Sequence, residues 1–211
     1  MKLLILGATG AVGRLVLLAA LKSNKISEVV APTRKPLAKD SKLQNPVVDF
    51  EKLDHSASWW QVDAVICALG TTLKIAGSEE AFAKIDRDLP VQAGQITHAT
   101  GAKSYALNSS LGTSLTGNFY LKTKAQAEVG LQALGFPSLT IVRPSLIDTE
   151  RSDSRPGEKI GLMFAKTFKP LIPKKYRAVP AENIAQALLN AVLASKPGVH
   201  IIESDQLQNL R

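Results

Sequence analysis

The stretch Leu3-Leu4-Ile5-Leu6-Gly7-Ala8-Thr9-Gly10-Ala11-Val12-Gly13-Arg14 decides the fold. Four apolar residues run into three glycines, after which Leu15, Val16 and Leu18 to Leu21 continue with helical content, so the order is strand, tight turn, helix. Gly7 permits the turn, Gly10 lets backbone approach a ligand, and Gly13 lets helix and strand pack closely. Unpaired N–H groups and the positive end of the helix dipole can then hold a pyrophosphate. The spacing G-x-x-G-x-x-G differs from the G-x-G-x-x-G of the usual dinucleotide fingerprint, but its context between a strand and a helix is the same.

Working outward, Glu28 to Ala31 is a second strand that ends at Pro32-Thr33-Arg34-Lys35-Pro36. An acid at this point would hold the ribose hydroxyls of NAD; Arg34, with Lys35 and Arg14, suits a 2′-phosphate instead, so NADP(H) is the expected cofactor. Pro46-Val47-Val48 is the candidate third strand, with Asp49 at its carboxyl end beside the adenine. Ala64 to Leu69 is apolar on both faces, as a central parallel strand should be, and ends in Gly70-Thr71-Thr72. Ser78-Glu79-Glu80 starts a helix running to about Ala99 with a kink at Pro90. Lys103 to Asn108 is the fifth strand, ending in Ser109-Ser110-Leu111-Gly112, and Ser138 to Val142 the sixth, ending in Arg143-Pro144-Ser145. A helix from Ala181 to Ala194 and a strand at Val199 to Ile202 complete the chain. The fold class is α/β: a mononucleotide-binding, doubly wound, mostly parallel sheet of about seven strands. Residues 1–211 are read as one domain, with 149–178 as an irregular cover on the substrate side.

The chain has 211 residues, 45% hydrophobic and 21% charged, an ordinary globular balance rather than a disordered one. Gly7, Thr9, Gly10 and Arg14 break the first apolar run before it reaches signal-peptide length, and no run of about 18 apolar residues exists to span a membrane. A cytoplasmic location is expected. The lone Cys67 lies in an apolar strand and is expected to be an inert core thiol, while His55, His98 and His200 stand too far apart for metal spacing. Much of the net charge of +8 falls in one segment, where Arg151, Arg155, Lys159, Lys166, Lys169, Lys174, Lys175 and Arg177 face only Asp153 and Glu158. A solvated face is the plainest account, an anionic small molecule the next, and nucleic acid the last, because no recognised nucleic-acid module accompanies it.

Tyr120 and Lys124 are four residues apart on the helix after Ser109-Ser110, hence on one face. A cation one turn from a phenol favours ionisation of the phenol, which suits it to proton transfer. Candidate catalytic residues are Tyr120, Lys124, Ser109 and Ser110. Candidate cofactor contacts are Gly7, Thr9, Gly10, Ala11, Val12, Gly13, Arg34, Lys35, Asp49, Leu69, Gly70, Thr71, Tyr120, Lys124, Arg143 and Pro144; no metal ligands are proposed.

Taken together, these motifs resemble the atypical branch of the short-chain dehydrogenase/reductase superfamily. More narrowly, CALGTT at 67–72, AGSEEAF at 76–82, SSLG at 109–112, the Y-x-x-x-K pair, AEVGLQALGFPSLTIVRPS at 127–145, and Arg151 with Arg155 are similar to the HIV-Tat-interacting protein family. The resemblance implies a seven-stranded Rossmann sheet and NADPH binding. It also implies Tyr120 as acid/base, Lys124 on the nicotinamide ribose, and a serine after the fifth strand positioning a substrate carbonyl. Ser109 and Ser110 both qualify, with Ser109 preferred, and the interval to Tyr120 is shorter than in the superfamily's best-known members. The chain is about 100 residues shorter than a typical nucleotide-sugar epimerase, which argues against a large sugar-nucleotide substrate. Two functions are carried forward: an NADPH-dependent reductase of a small carbonyl compound, and a dinucleotide-sensing regulator that binds a partner protein without catalysis. A homodimer is compatible with both.

Overall fold

In the computed structural model, which describes residues 1–148 and 173–208, the apolar runs pair in parallel around the opening strand. The strands are β1 (Lys2–Leu6), β2 (Glu28–Val30), β3 (Leu43–Gln44), β4 (Ala64–Cys67), β5 (Ser104–Asn108), β6 (Ser138–Arg143), β7 (Ile147–Asp148), β8 (Val179–Pro180) and β9 (Gly198–Glu203). Seven of them form one sheet in the order β3-β2-β1-β4-β5-β6-β9, with every neighbouring pair parallel. The chain winds outward from β1 to β3, then crosses to β4 and winds the other way. The expected doubly wound Rossmann sheet is therefore present, and its switch point lies between β1 and β4.

Alternation along the strands builds two cores. Leu3 and Ile5 face one side, with Ile66, Ala106 and Val142, where helices α1 (Ala11–Lys22) and α6 (Ala181–Ala194) cover them with Val16, Leu17, Ile184 and Leu188. Leu4 and Leu6 face the other, with Val65, Tyr105 and Ile141, under Trp59, Trp60, Ala93, Leu131 and Phe136. Both faces of the central strands are buried, which explains their near-continuous apolar sequence.

The helices on the second side are α2 (Leu73–Ala76), α3 (Glu79–Ala83), α4 (Leu89–Ala99) and α5 (Phe119–Ala133). Ser78 caps α3 by accepting from the Ala81 N–H, as its sequence suggests. Between α3 and α4 the helix widens into a π-turn at Lys84–Asp88. Pro90 supplies the reason: it has no N–H for the carbonyl four residues back and its ring crowds that carbonyl, so the expected kink is a widened turn. Helix α7 (Ser204–Leu207) comes directly after β9.

One strand is displaced from its sequence reading. The third strand is Leu43–Gln44, and Pro46-Val47-Val48 continues it only through the single bridge Thr33–Val47, because Pro46 has no N–H for a ladder. The β7–β8 pair closes the base of the 149–178 segment. Of that expected cover, 149–172 lies outside the described residues, along with Arg151, Arg155, Lys159, Lys166 and Lys169.

Candidate functional site

The β1–α1 turn has the shape its glycines predict. Gly7 adopts φ +81°, and a Cβ on it would lie 2.6 Å from the Ala68 carbonyl oxygen just beyond β4. A Cβ on Gly13 would lie 2.1 Å from the Gly7 carbonyl oxygen, so the third glycine is fixed by contact between helix and turn. A Cβ on Gly10 would meet only the Gly7 oxygen, at 3.3 Å. Thr9 and Gly10 are exposed, whereas the Val12 side chain belongs to the core. No side chain caps α1, and the first helical N–H to reach a carbonyl is that of Arg14, on Gly10 at 3.0 Å. The N–H groups of Ala11, Val12 and Gly13 at the open helix end fit an anionic diphosphate.

Beyond the other strands lie the remaining candidates. Arg34 and Lys35 are exposed past the end of β2. Their loop is pinned by Asn45, whose Nδ2 donates to the Ala31 carbonyl at 2.6 Å and to Thr33 Oγ1 at 2.8 Å, while its Oδ1 accepts from the Leu37 N–H. Asp49 is exposed and its Oδ1 accepts from the Glu51 N–H in a local turn. Leu69, Gly70 and Thr71 come after β4 at the switch point.

Lys124 is buried, and its Nζ lies 2.6 Å from Asp86 Oδ1. Asp86 is fully buried on the π-turn, and its Oδ2 accepts from the Thr71 N–H at 2.9 Å. A Cβ on Gly70 would lie 3.7 Å from Asp86 Oδ1 and 3.9 Å from Lys124 Nζ, so the pair rests directly against the β4 turn. Tyr120 packs its ring on Phe82 with centroids 5.6 Å apart, and its hydroxyl has no hydrogen bond among the described residues.

One more turn along α5, Glu128 forms the hub of a second buried cluster. Its carboxylate accepts from Ser109 Oγ at 2.5 Å, Thr113 Oγ1 at 3.1 Å, and Arg143 Nε and Nη2 at 3.1 and 2.5 Å. Arg143 Nη1 also donates to Glu203 Oε1 at 3.1 Å. These partners raise the guanidinium's already high pKa, the hydrogen bond to Glu128 first. Ser109 is buried and committed to Glu128; Ser110 is half-buried, and its hydroxyl meets only the Leu111 carbonyl at 3.5 Å. Pro144 is buried, and its carbonyl accepts from the Leu111 N–H at 2.8 Å. Cys67 is enclosed in the core, where burial pushes its thiol up to about 11.

The glycine cradle, the β4 turn and the α5 face thus meet beyond the carboxyl ends of the strands. A sequence profile for the family described as NAD(P)H-binding matches residues 7–195. The chain belongs to the NAD(P)H-binding family. Within this NAD(P)H-binding family it is 33% identical to protein HTATIP2 of Rattus norvegicus, over 98% of this chain and 87% of that protein. It is 34% identical to the mitochondrial protein fmp52 of Emericella nidulans, over 92% of this chain and 88% of that one. Solved structures share the fold at low identity. MoeE5 in complex with UDP-glucose and NAD superposes with a TM-score of 0.72 at 14% identity, covering 98% of this chain and 79% of that one. UDP-glucuronic acid 4-epimerase from Bacillus cereus, in complex with NAD, superposes with a TM-score of 0.69 at 16%, covering 97% and 78%. The resemblance to the HIV-Tat-interacting protein family therefore holds across nearly the whole chain, and the solved structures share its fold. No helix among the described residues is long and apolar enough to cross a membrane.

Sequence reasoning missed Asp86, Glu128, Glu203 and Asn45. Glu128 had a signal, since it continues the i, i+4 series of Tyr120 and Lys124 on one helix face. The others sit on remote segments and become neighbours only in the folded sheet.

Proposed function

We propose that this protein is an NADPH-dependent reductase of a carbonyl compound. One observation carries the reading: the lysine of the Y-x-x-x-K pair reaches the glycine turn beyond β4, at the switch point where the dinucleotide cradle opens. The dinucleotide, when bound, supplies a hydride. Gly10 and the N–H groups of Ala11 to Gly13 take the pyrophosphate, and Gly70 leaves room for a ribose. One of Lys124's three N–H donors is turned to Asp86, and the others serve the ribose hydroxyls. Tyr120 gives its proton to the substrate oxygen, and Ser110, rather than the Ser109 that donates to Glu128, hydrogen-bonds that oxygen. Arg143, held by Glu128 and Glu203, acts by fixing the ends of β6 and β9 and makes no phosphate contact of its own.

Arg34 and Lys35 support NADPH over NADH, because an exposed guanidinium at this strand end suits a 2′-phosphate. Arg34→Ala is expected to weaken NADPH binding roughly ten- to hundredfold, the value of a charge-assisted contact, with little change for NADH. Equal losses in a fluorescence titration would remove Arg34 from that role. Tyr120→Phe is expected to lower turnover by about 10²- to 10⁴-fold while sparing cofactor affinity. Undiminished NADPH oxidation by that variant would exclude the mechanism, and a lack of turnover of any carbonyl compound by the unmodified protein would favour the sensing role. The cytoplasmic placement belongs to the same proposal; recovery in an organelle fraction, as the names of the fmp52 relatives describe, would overturn it.

A further inference from the structure

We infer that the carbonyl compound handled at this site is apolar, with an alkyl chain that lies along the rim of the crevice. The carbonyl part of this inference rests on the reductase reading; the apolar part does not. Large apolar side chains scattered singly over a surface need no explanation, but contiguous ones mark a binding surface. Several of them lie beyond the carboxyl ends of β4, β5 and β6, which are neighbours in the sheet, while Leu18, Val47, Val129, Val199 and Ile201 are scattered elsewhere. Leu73 and Ile75 are exposed on α2 after β4, Leu115 in the loop after β5, Leu146 and Ile147 after β6, and Tyr176 shortly before β8. Ile75 and Leu146 are the extremes, at 75% and 74% exposure.

Backbone contacts join several of these segments into one rim. The Leu111 N–H donates to the Pro144 carbonyl and the Val179 N–H to the Leu146 carbonyl, each at 2.8 Å, and Ser145 Oγ donates to the Arg177 carbonyl at 2.5 Å. The loop from Ser109 to Asn118 carries no charged residue at all. A sugar nucleotide, bound in the MoeE5 structure that shares this fold, has a diphosphate that calls for a committed cation. Arg143, the guanidinium at the end of β6, is already paired with two carboxylates. Cations also border the rim at Lys74, Lys174 and Lys175, so the test sets an alkyl compound against a sugar nucleotide.

In the balanced step, the carbonyl carbon of an alkyl aldehyde gains a hydride from the reduced dinucleotide and its oxygen gains the Tyr120 proton. The products are a primary alcohol and the oxidised dinucleotide, and Tyr120 recovers its proton from solvent. With the full chain, NADPH oxidation is monitored with propanal, hexanal and nonanal. kcat/KM is expected to rise about two- to fourfold per added methylene, the factor for burying a CH₂ group. Independently of turnover, calorimetry of the NADPH-saturated protein measures binding of the non-reducible nonanamide, of propanamide and of UDP-glucose. Nonanamide is expected to bind more tightly than propanamide, and Ile75→Ser and Leu146→Ser each to weaken it roughly tenfold or more with NADPH affinity unchanged. Rim-dependent nonanamide binding without turnover of any aldehyde supports the apolar site and overturns the reductase reading. Equal turnover of the three aldehydes without nonanamide binding overturns the apolar inference and leaves the reductase standing. Nonanamide binding indifferent to both rim substitutions, or UDP-glucose binding in its place, overturns the inference as well.

Discussion

Asp86 and Lys124 come from helices that the sequence separates by more than a dozen positions, and they meet where water is excluded. A buried carboxylate with its partner removed is costly, about 3–5 kcal/mol, because the remaining charge has neither water nor a counter-charge. Lys124→Met is therefore expected to lower unfolding free energy by about that much in urea denaturation, and adding Asp86→Asn should restore most of it. If the double variant were no more stable than Lys124→Met alone, the two groups would not be acting as a pair. The glycines, Tyr120 and Lys124 were legible because backbone geometry and helix periodicity leave marks at fixed spacing. Asp86 was not, since a single acid inside an amphipathic helix looks like any solvated residue until the partner helix is placed beside it. Ser109 and Ser110 show the same limit: their order in the chain is plain, but which one Glu128 occupies depends on the packing of α5 on β5.

At the scale of elements, α6 ends with an unusual choice. Its C-terminal Ser195 sits at φ +43°, the left-handed region, while its N–H donates to the Ala191 carbonyl. A side chain there crowds the following carbonyl, and glycine is the residue that avoids this. Ser195→Gly is expected to stabilise the protein by about 0.5–1 kcal/mol, read as a higher denaturation midpoint at an unchanged slope; a lower midpoint would contradict the strain. The ends of α6 agree with the sequence because an uninterrupted apolar stripe between Pro180 and Pro197 leaves little freedom. Core strands were equally legible, being apolar on both faces. β3 was not: two residues at a sheet edge bury too little to impose a pattern, and Pro46-Val47-Val48 has the composition of a strand without the donors for one. The widened turn at 84–88 escaped for another reason, since Pro90 announces an irregularity but not whether the helix bends, stops or expands.

For the whole molecule, the parallel strand order makes every part of the crevice depend on contacts between distant segments, and parallel pairing of this kind forms late because loop closure must precede it. The sheet's last strand is the extreme case. β9 pairs with β6 across the whole 149–178 segment, and it brings Glu203, which meets Arg143 from 60 residues away. The close contacts that shape the glycine turn itself, by contrast, come from β1, α1 and the end of β4, all in the first third of the chain, although α1 also packs on α6. Pulse-labelled hydrogen exchange during refolding should find β1 and β4 amides protected before those of β9, and the reverse order would refute this sequence of events. A chain still emerging from the ribosome would then hold the residues that shape the glycine turn before it held the strand that braces Arg143. On that order of events, cofactor present during synthesis would meet the turn before the opposite wall had closed and would bear on how much of the chain reaches the finished state.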